Sequence, residues 1–261
     1  VEYSNWIPGK IVALGAALAA VFAGAAVAPL LAGGWLSALG VVLAAAAAFF
    51  LGFAVYMAVS RQMLSYAGGG VQGKVLDHML DRLGKLGWDG TGRLLDIGCG
   101  SGAASVRAAK RYPEARITGV DRWDAIWDYS RAQCEKNARL EGVSERVSFR
   151  KGDAAKLDFP DGSFDACVSN FVFHEVRAQP DKTALLREAL RVIKPGGYFA
   201  FQDVFFVRSV YGDPEKLIKA LEADARDVRL ADLRRPAFVP WLLNLSFIIG
   251  FRNFGLIDGQ K

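Results

Sequence analysis

Two long apolar runs in the first sixty residues constrain the fold of this chain more than any other feature. Ile11–Leu31 and Trp35–Val59 contain no Asp, Glu, Lys or Arg. As helices they would be roughly 31 and 37 Å long, enough to cross a hydrocarbon core of about 30 Å. Ala32-Gly33-Gly34 leaves room only for a tight turn between them. We therefore expect a transmembrane α-helical hairpin over residues 1–60, with spans at about 11–31 and 35–59.

A cleaved signal peptide is the competing interpretation of the first run, because residues 23–29 (AGAAVAP) resemble a small-residue cleavage site. Two observations favour the hairpin: a second full-length run follows, and no basic cluster precedes the first. Lys10 and Arg61 flank the hairpin, whereas its turn carries no charge. The positive-inside rule therefore predicts an integral protein of the plasma membrane with both ends of the hairpin in the cytoplasm.

Small residues recur at a spacing of four along the first run, in the pairs Gly15/Ala19, Ala20/Gly24 and Gly24/Ala28. This spacing lets two membrane helices approach each other closely. We expect these pairs to line the contact between the two spans, and contacts between hairpins would also allow oligomers.

The rest of the chain has the composition of a soluble domain. Glu2 and Lys10 are the only charged side chains in the first sixty residues, so the net charge of +5 lies wholly in residues 61–261. That charge would suit an anionic membrane surface or simply be solvated, and no basic stripe with interleaved aromatic residues indicates a nucleic-acid partner. Two histidines and three scattered cysteines provide neither a structural zinc site nor a disulfide framework, and they favour a reducing compartment.

Short apolar runs alternate with helical stretches after residue 61, which is typical of a parallel sheet covered by helices on both faces. Residues 61–92 hold a connector and a first helix from about Val71 to Leu86, and residues 93–261 form the globular domain. The strands that we predict in it are 93–97, 116–120, 147–151, 164–169 and 197–203, with two weaker ones at 228–232 and 253–258.

A glycine-rich turn follows the first of these strands, and a helix begins at about Ala103. The turn is part of Leu94–Gly102, which reads LLDIGCGSG, a G-x-G-x-G pattern behind an acidic residue rather than the dinucleotide fingerprint G-x-G-x-x-G. Glycines let the backbone approach a ligand, and a helix N-terminus presents unpaired N–H groups. Asp121 ends the second strand, and Asp153 follows the third. There they would accept ribose hydroxyls and an adenine amine respectively, although either alone is more often a solvated turn residue.

These segments resemble the class I S-adenosylmethionine (SAM)-dependent methyltransferases, in particular the small-molecule branch typified by quinone-biosynthesis C-methyltransferases. The resemblance spans about residues 75–261 and includes Phe164–Asn170 and Leu190–Gly197. It implies a Rossmann-like, doubly wound α/β fold with seven strands, the last antiparallel, and SAM as cofactor with S-adenosylhomocysteine as product. It does not supply the hairpin. The NPPY-type tetrad of methyltransferases acting on amino groups of adenine or glutamine is replaced by residues 169–172 (SNFV), which argues against nucleic acid as substrate.

The resemblance also implies which residues bind the cofactor: Asp96, Gly98, Cys99, Gly100, Gly102, Asp121, Arg122, Trp123, Asp153, Ala154, Asn170 and Tyr66. Trp123 lies two residues past the ribose-binding carboxylate, so it would either stack on the adenine or pack on a helix face. Tyr66 belongs to the stretch Ser65–Gly70, which would either fold over the cofactor as a lid or act as a flexible hinge.

Residues just past the fourth strand face the methyl group in this family, and here residues 170–176 read NFVFHEV. His174 is the histidine at that point, and its ordinary pKa of about 6.5 suits a general base. A loop-holding hydrogen bond is the alternative role. Glu175 beside it is a further catalytic candidate or a loop carboxylate. Asp203, at the end of the fifth strand, would act as a second base or orient the substrate.

One more apolar segment, Phe238–Phe251, contains no charge and is too short to span a bilayer. Pro240 would open a helix there, Trp241 favours the headgroup layer, and Arg234 and Arg235 precede it. The segment would either dock the substrate entrance on the membrane or pack on the sheet as ordinary core.

Together these features predict a membrane-anchored, cytoplasm-facing SAM-dependent methyltransferase that acts on a small apolar or lipid-like acceptor. Its partners would be the lipid bilayer and that acceptor, with no nucleic acid and no metal. Two alternatives stay open at this point. In one the acceptor is soluble and the hairpin is a mere tether, and in the other the domain binds SAM as a non-catalytic membrane sensor.

Overall fold

The structure is a computed structural model, and it describes residues 1–3, 5–66, 70–123, 130–245 and 251–261. The chain divides into two compact units. The helical unit is Asn5–Gln72, and the larger unit comprises Gly73–Lys261 together with Val1–Ser4.

The helical unit consists mainly of two long helices, α1 (Gly9–Ala32) and α2 (Leu36–Leu64). Gly33 and Gly34 join them with φ of 68° and 59°, left-handed values that favour glycine. Both helices are long and apolar enough to cross a membrane, with mean hydropathies of 2.4 and 2.5, and only 17% of the residues in their most apolar windows are buried. The two predicted helices are thus confirmed as helices, and α2 runs five residues past its predicted end.

The contact between α1 and α2 uses only some of the predicted small residues. Gly15 and Ala19 are buried, and a Cβ on Gly15 would lie 3.2 Å from the Cβ of Ala54. The prediction for the pairs Ala20/Gly24 and Gly24/Ala28 was wrong, because these three residues are exposed and Gly24 has nothing within 4 Å of its Cβ position. At 3.6 residues per turn they lie well around the helix from the buried stripe.

The open end of this helix pair is closed by side-chain to main-chain hydrogen bonds. Asn5 Nδ2 donates to the carbonyl of Arg61 at 2.7 Å, and Asn5 Oδ1 accepts from the N–H of Ile7 at 2.9 Å. The Arg61 guanidinium in turn donates to the carbonyl of Ile7. These bonds fix the two chain ends of the helix pair side by side, at the end that carries its flanking positive charges.

The larger unit is built on a seven-stranded sheet, as predicted. Its strand order is β3-β2-β1-β4-β5-β7-β6, and β7 is antiparallel to both of its neighbours. The strands are β1 (Gly92–Ile97), β2 (Ala115–Asp121), β3 (Val147–Lys151), β4 (Phe164–Asn170), β5 (Ile193–Asp203), β6 (Arg226–Asp232) and β7 (Gly255–Gln260). The predicted antiparallel last strand is therefore confirmed.

Helices cover both faces of the sheet. The chain winds outward from β1 through β2 to β3 and, in the other direction, from β4 to β5, so right-handed crossovers place the intervening helices on opposite faces. The helices are α3 (Val71–Leu86), α4 (Ala103–Arg111), α5 (Arg131–Leu140), α6 (Lys182–Arg191), α7 (Arg208–Tyr211) and α8 (Pro214–Leu221), with short 3-10 turns at Phe173–Glu175, Trp241–Leu245 and Phe251–Asn253.

The observed strand boundaries lie within two residues of the prediction except at the start of β5. β5 begins at Ile193 rather than 197, because Ile193 pairs with Phe164 before a register shift leads to the pair of Ala166 and Tyr198. β7 begins at Gly255 rather than 253, because the residues just before it form a 3-10 turn. Neither difference moves the carboxyl end of β5, where the predicted catalytic residues lie.

Strand register aligns several residues of interest along one edge of the sheet. Asn170 of β4 pairs with Gln202 of β5. Asp203, the next residue, pairs with Gly255 of β7, which in turn pairs with Asp232 of β6. The carboxyl ends of the parallel strands therefore form a continuous edge, and this is the edge at which ligands bind in open α/β sheets.

Candidate active site

The glycine turn after β1 has the backbone conformation that its sequence predicts. Gly98, Gly100 and Gly102 have φ of 73°, 55° and 82°, a region that other residues seldom adopt. Gly98 also lacks room for a side chain, because a Cβ there would lie 2.1 Å from Cγ2 of Val172. The turn therefore packs directly against the segment that follows β4.

Asp96 lies beneath this turn and is almost fully buried, with 1% of its surface exposed. Its carboxyl accepts a hydrogen bond from Ser105 Oγ at 2.5 Å and so ties β1 to α4. Burial raises the pKa of Asp96 to about 7, against the opposing effect of the Ser105 hydrogen bond. The structure thus gives Asp96 a role in fixing the turn, and its direct contact with a cofactor stays a prediction.

Asp121 and Trp123 hold Gly100 between them. Asp121 Oδ2 accepts the N–H of Gly100 at 2.8 Å, and Oδ1 accepts the N–H of Trp123 at 2.8 Å. The indole Nε1 of Trp123 donates to the carbonyl of Gly100 at 3.0 Å. Trp123 itself has a positive φ of 46°. This clamp joins the ends of β1 and β2, and sequence reasoning did not find it because its partners are more than twenty residues apart.

The side chain of Cys99 is buried, so only its main chain contributes to the surface of the turn. Cys134 Sγ donates to the same carbonyl of Gly100 at 3.1 Å. Burial raises the pKa of the Cys99 thiol well above its ordinary value, which keeps it protonated. Cys99, Cys134 and Cys167 are all unpaired, as expected, and all are buried.

Arg122, Asp153 and Ala154 come together at the ends of β2 and β3. Arg122 Nη1 lies 3.5 Å from Asp153 Oδ2, and Asp153 Oδ1 accepts the N–H of Ala155 at 2.9 Å. The carboxylate of Asp153 is therefore oriented by an ion pair and a turn hydrogen bond. Its contact with adenine, and those of Arg122 and Ala154 with the cofactor, stay predictions.

Two amide side chains lie next to each other at the ends of β4 and β5. Asn170 Oδ1 and Gln202 Oε1 are buried, and neither accepts a hydrogen bond from any group in the described part of the chain. Gln202 Nε2 lies 3.3 Å from His78 Nδ1 of α3. Burial, followed by the nearby charge of Arg82, lowers the pKa of His78. Gln202 and His78 were missed by sequence reasoning; the available signal was a polar residue inside the apolar run that forms β5.

The predicted catalytic residues His174 and Asp203 form a hydrogen-bonded pair. His174 Nδ1 lies 2.6 Å from Asp203 Oδ1, and the main-chain N–H of His174 donates to Asp203 Oδ2 at 3.3 Å. The N–H of Val204 also donates to Asp203 Oδ1, at 2.7 Å. The Asp203 side chain is fully buried, whereas that of His174 is 26% exposed. Asp203 therefore fixes the imidazole through Nδ1, and Nε2, on the other side of the ring, lies 3.7 Å from Glu175 Oε1.

Charges around His174 shift its titration. Burial lowers the pKa of His174, but the hydrogen bond and negative charge of Asp203 outweigh burial, and the pKa is raised above its ordinary value. Glu175 Oε1 lies 3.7 Å from His174 Nε2 and acts in the same direction. Lys182 opposes it, and its Nζ donates to the carbonyl of Val176 at 2.6 Å. All three predicted catalytic residues are thus in one place.

Two predicted features are only partly described. Tyr66 lies in the helical unit, so its cofactor contact stays a prediction, and residues 67–69 of the same stretch lie outside the described residues. In the Phe238–Phe251 segment, Val239, Leu243 and Phe251 are buried, whereas Trp241 is 73% exposed. Residues 246–250 lie outside the described residues, and docking of the segment on a membrane stays a prediction.

Comparison with known proteins identifies the domain that carries this geometry. Residues 95–201 match the family model described as a methyltransferase domain. This segment is a methyltransferase domain. The match confirms the resemblance to class I SAM-dependent methyltransferases, and with it the enzyme class and the cofactor predicted for the domain.

Curated relatives of the methyltransferase domain act on varied molecules. The chain is 36% identical over 137 residues to 27-O-demethylrifamycin SV methyltransferase of Amycolatopsis mediterranei, and this alignment covers 52% of the chain and 44% of the relative. It is 35% identical over 107 residues to sterol 24-C-methyltransferase erg6 of Aspergillus fumigatus, covering 41% and 26%. It is 39% identical over 117 residues to arsenite methyltransferase of Aquipseudomonas alcaligenes, covering 43% and 33%. The chain thus spans less than half the length of these relatives.

Solved structures share the fold of the methyltransferase domain. Geranyl diphosphate C-methyltransferase of Streptomyces coelicolor, solved with S-adenosylhomocysteine, superposes with a TM-score of 0.57 at 18% identity, covering 72% of this chain and 79% of that one. The [4+2]-cyclase SpnF superposes with a TM-score of 0.54 at 23% identity, covering 72% and 78%. At these identities the likeness shows the fold alone, and the second case shows that this fold also hosts a cyclase.

Proposed function

We propose that this chain is a membrane-anchored SAM-dependent methyltransferase that transfers a methyl group to a small apolar or lipid-like acceptor, as in the quinone-biosynthesis branch. The observation that carries the proposal is the pair of His174 and Asp203 next to the glycine turn of a methyltransferase domain. A scaffold or sensor that only binds SAM has no need of a partly exposed histidine that a buried carboxylate orients.

The residues present fit SAM. Three glycines of the Gly98–Gly102 turn leave its main chain open to the close approach of a ligand. Asp121 and Asp153 keep acceptor capacity beyond the bonds that they make. Asn170 Oδ1 is a buried acceptor that no described donor satisfies. An unsatisfied buried oxygen costs about 1–3 kcal/mol, so a ligand that brings an N–H group to it would be stabilised. These residues would therefore hold the ribose, the adenine and the amino-acid part of the cofactor.

The chemistry divides between cofactor and protein. SAM supplies an electrophilic methyl group on a good leaving group, so the protein has to align the acceptor and, where the acceptor carries a proton, remove it. His174 Nε2 would take that proton while Asp203 holds the tautomer with the proton on Nδ1 and stabilises the charged ring. Oxygen, nitrogen or sulfur acceptors would need this step, whereas an electron-rich carbon would need it less.

The helical unit supports the membrane part of the proposal. Helices of 24 and 29 residues would be about 36 and 44 Å long. Their surfaces expose many large apolar side chains, among them Leu14, Val21, Leu31, Val42 and Phe49. A core helix of a soluble protein would bury such residues, and an exposed apolar surface of this extent is typical of contact with lipid or with another protein. A bilayer at this surface would bring apolar acceptors to the domain.

SAM binding and methyl transfer test the proposal in two steps. Isothermal titration of the full chain in a non-ionic detergent should show SAM binding, and Asp121→Ala should weaken it by about 1.5–3 kcal/mol, the range for hydrogen bonds to a charged group. Asp158→Ala, on an aspartate whose side chain is 98% exposed, is the matched control and should bind normally. Full affinity in Asp121→Ala would show that the ribose lies elsewhere.

The second step is an assay with tritiated methyl-SAM and a bacterial membrane extract. Radioactivity should enter the organic phase with the native chain, and His174→Ala should lower the rate by about 10²–10⁴ while SAM affinity is kept. SAM binding without any transfer would favour the sensor. Transfer only to water-soluble molecules would favour the soluble acceptor, with the hairpin as a tether.

A further inference from the structure

Beyond the catalytic pair, the same sheet edge carries a cavity lined by arginines. Arg234, Arg235 and Arg252, which we call the arginine pocket, line a cavity of about 440 Å³ together with Asp232. Three guanidinium groups therefore face one carboxylate, which leaves the lining with a net positive charge. Two segments contribute them, the loop after β6 and the 3-10 turn before β7.

The guanidinium of Arg234 is held in place from two sides. Its Nε and Nη2 donate to the carboxylate of Asp232 at 3.0 and 2.6 Å, and its plane lies 4.3 Å from the ring centroid of Phe206. An arginine fixed in this way loses little freedom on binding an anion. The pocket thus offers a pre-oriented donor rather than three mobile side chains.

Arg235 is held in an unusual backbone conformation. Its φ is 80°, in the region that glycine adopts readily and that strains the backbone of other residues. Side chains larger than glycine in such a conformation are concentrated at functional sites. In an exposed loop a glycine would relieve this strain, so the arginine side chain at this position has a reason other than the stability of the turn.

Strand register relates the arginine pocket to the catalytic pair. Asp203, Gly255 and Asp232 are successive register partners on β5, β7 and β6. Two strand spacings of about 4.8 Å separate Asp203 from Asp232 by roughly 10 Å along the sheet edge. Phe206 lies between them, because a Cβ on Gly255 would lie 3.1 Å from Cε2 of Phe206. One half-buried aromatic ring therefore lies between the two sites.

We propose that the arginine pocket binds an anionic group of the methyl acceptor, a phosphate or a carboxylate. The acceptor is then an amphipathic molecule whose oxyanion lies on the order of 10 Å from the atom that receives the methyl group, with an apolar part over Phe206. Arginine suits this task because its planar fork matches the geometry of both oxyanions. The inference rests on the proposed function and adds the class of acceptor to it.

Titration with small soluble probes tests the pocket without knowledge of the acceptor. The full chain in a non-ionic detergent, at constant ionic strength, is titrated with hexyl phosphate, hexanol and inorganic phosphate. We expect hexyl phosphate to bind more tightly than either of the others. Arg235→Gln with Arg252→Gln should weaken that binding about tenfold or more, since each arginine contributes a charge-assisted hydrogen bond. The matched control is Arg226→Gln with Arg229→Gln, which removes the same charge from β6 outside the pocket and should change the affinity little.

Each other outcome decides against the proposal or part of it. Equal binding of hexyl phosphate by the two double variants would show that the arginine pocket does not bind the anion. Binding of inorganic phosphate as tight as that of hexyl phosphate would mean that the site takes a free anion. Preferential binding of dioctanoylphosphatidylglycerol would assign it to a bilayer headgroup. SAM affinity is measured on the same samples. Normal SAM binding without arginine-dependent binding of hexyl phosphate would overturn only this inference. Absent SAM binding would overturn the proposed function.

Discussion

Among single residues, Asp203 determines most of the geometry of the candidate active site, because its buried carboxylate fixes both the ring and the main chain of His174. It also accepts the N–H of Val204, so its orientation does not depend on the imidazole. The raised pKa of His174 follows from this geometry and links the position of the histidine to the pH at which its imidazole becomes neutral.

The pH dependence of methyl transfer should report this link. Because the folded-state pKa of His174 is raised, the neutral base forms only as pH rises through that value, and the rate should rise with it. Asp203→Asn removes the negative charge, so the rising limb should move to lower pH while the maximum rate falls. The measurement is the rate of methyl transfer from tritiated methyl-SAM to membrane extract as a function of pH between 5.5 and 9. If the rising limb of the pH–rate profile does not move in Asp203→Asn, that limb reports the titration of a group other than His174.

Asp96 should give the stability of the domain a distinct pH dependence. Its folded-state pKa of about 7 lies above the ordinary 3.8, so the folded state holds a proton that the unfolded state releases. Its contribution is therefore fully present below about pH 4 and is lost as pH rises towards 7, with a slope of up to about 1.4 kcal/mol per pH unit. Asp96→Asn should flatten the slope in thermal unfolding between pH 5 and 7.5. Asp158→Asn, an exposed control, should keep the native slope.

Sequence reasoning found residues whose position follows from a strand end, and it missed those defined by contact. Asp121, Asp153 and His174 follow predicted strands closely, so a parallel sheet brings them to one edge whatever their detailed contacts. The clamp of Trp123 on Gly100, and the approach of Gln202 to His78, join residues 23 and 124 positions apart. Periodicity and turn chemistry carry no information on such pairs.

Among the structural elements, the glycine turn after β1 and the loop after β4 behave as one piece. Val172 Cγ2 would lie 2.1 Å from a Cβ on Gly98, and the 3-10 turn with His174 begins one residue later. The donor side and the base side of the candidate active site are therefore in direct contact. Their packing leaves neither element free to shift alone.

A double-mutant cycle tests this contact. Gly98→Ala should destabilise the domain by several kcal/mol, since φ is positive and the new methyl group meets Val172, an effect of about 1–3 kcal/mol from strain plus a similar one from overpacking. Val172→Ala should recover part of the loss, giving a coupling of about 0.5–3 kcal/mol by thermal unfolding. Strictly additive losses would mean that the backbone relaxes around the new side chain.

Element boundaries were predictable where a local signal ends the element. Gly33 and Gly34 set the turn between α1 and α2, and Asp121 and Asn170 were close to the observed strand ends. The start of β5 was not predictable, because it depends on a register shift between Phe164 and Ala166 and not on the Lys194–Gly197 sequence. The predicted contact pairs on α1 were only partly right, because uniform small residues make several stripes of the helix equivalent in sequence.

At the scale of the whole molecule, the proposal requires the domain and both ends of the hairpin to lie in the cytoplasm, where SAM is made. Cysteine labelling in intact cells checks this, and the background is low because the three native cysteines are buried. Trp35→Cys, at an 81% exposed position in the turn, should react with a membrane-impermeant maleimide, whereas Asp158→Cys should react only after lysis. The reverse pattern would place the domain outside the cell.

The contact of Gly98 with Val172 has a consequence for how such an enzyme diversifies. Under the proposed function, a change on either side of that contact would alter cofactor affinity and the position of the base together, so most changes there would abolish activity. Phe206 follows β5, and the loop around Arg235 follows β6, which is three positions from β4 in the sheet. New acceptors would therefore be expected to arise through substitutions on the β6–β7 side, and variation among natural relatives should be concentrated there while residues 96–102 and 170–175 stay fixed.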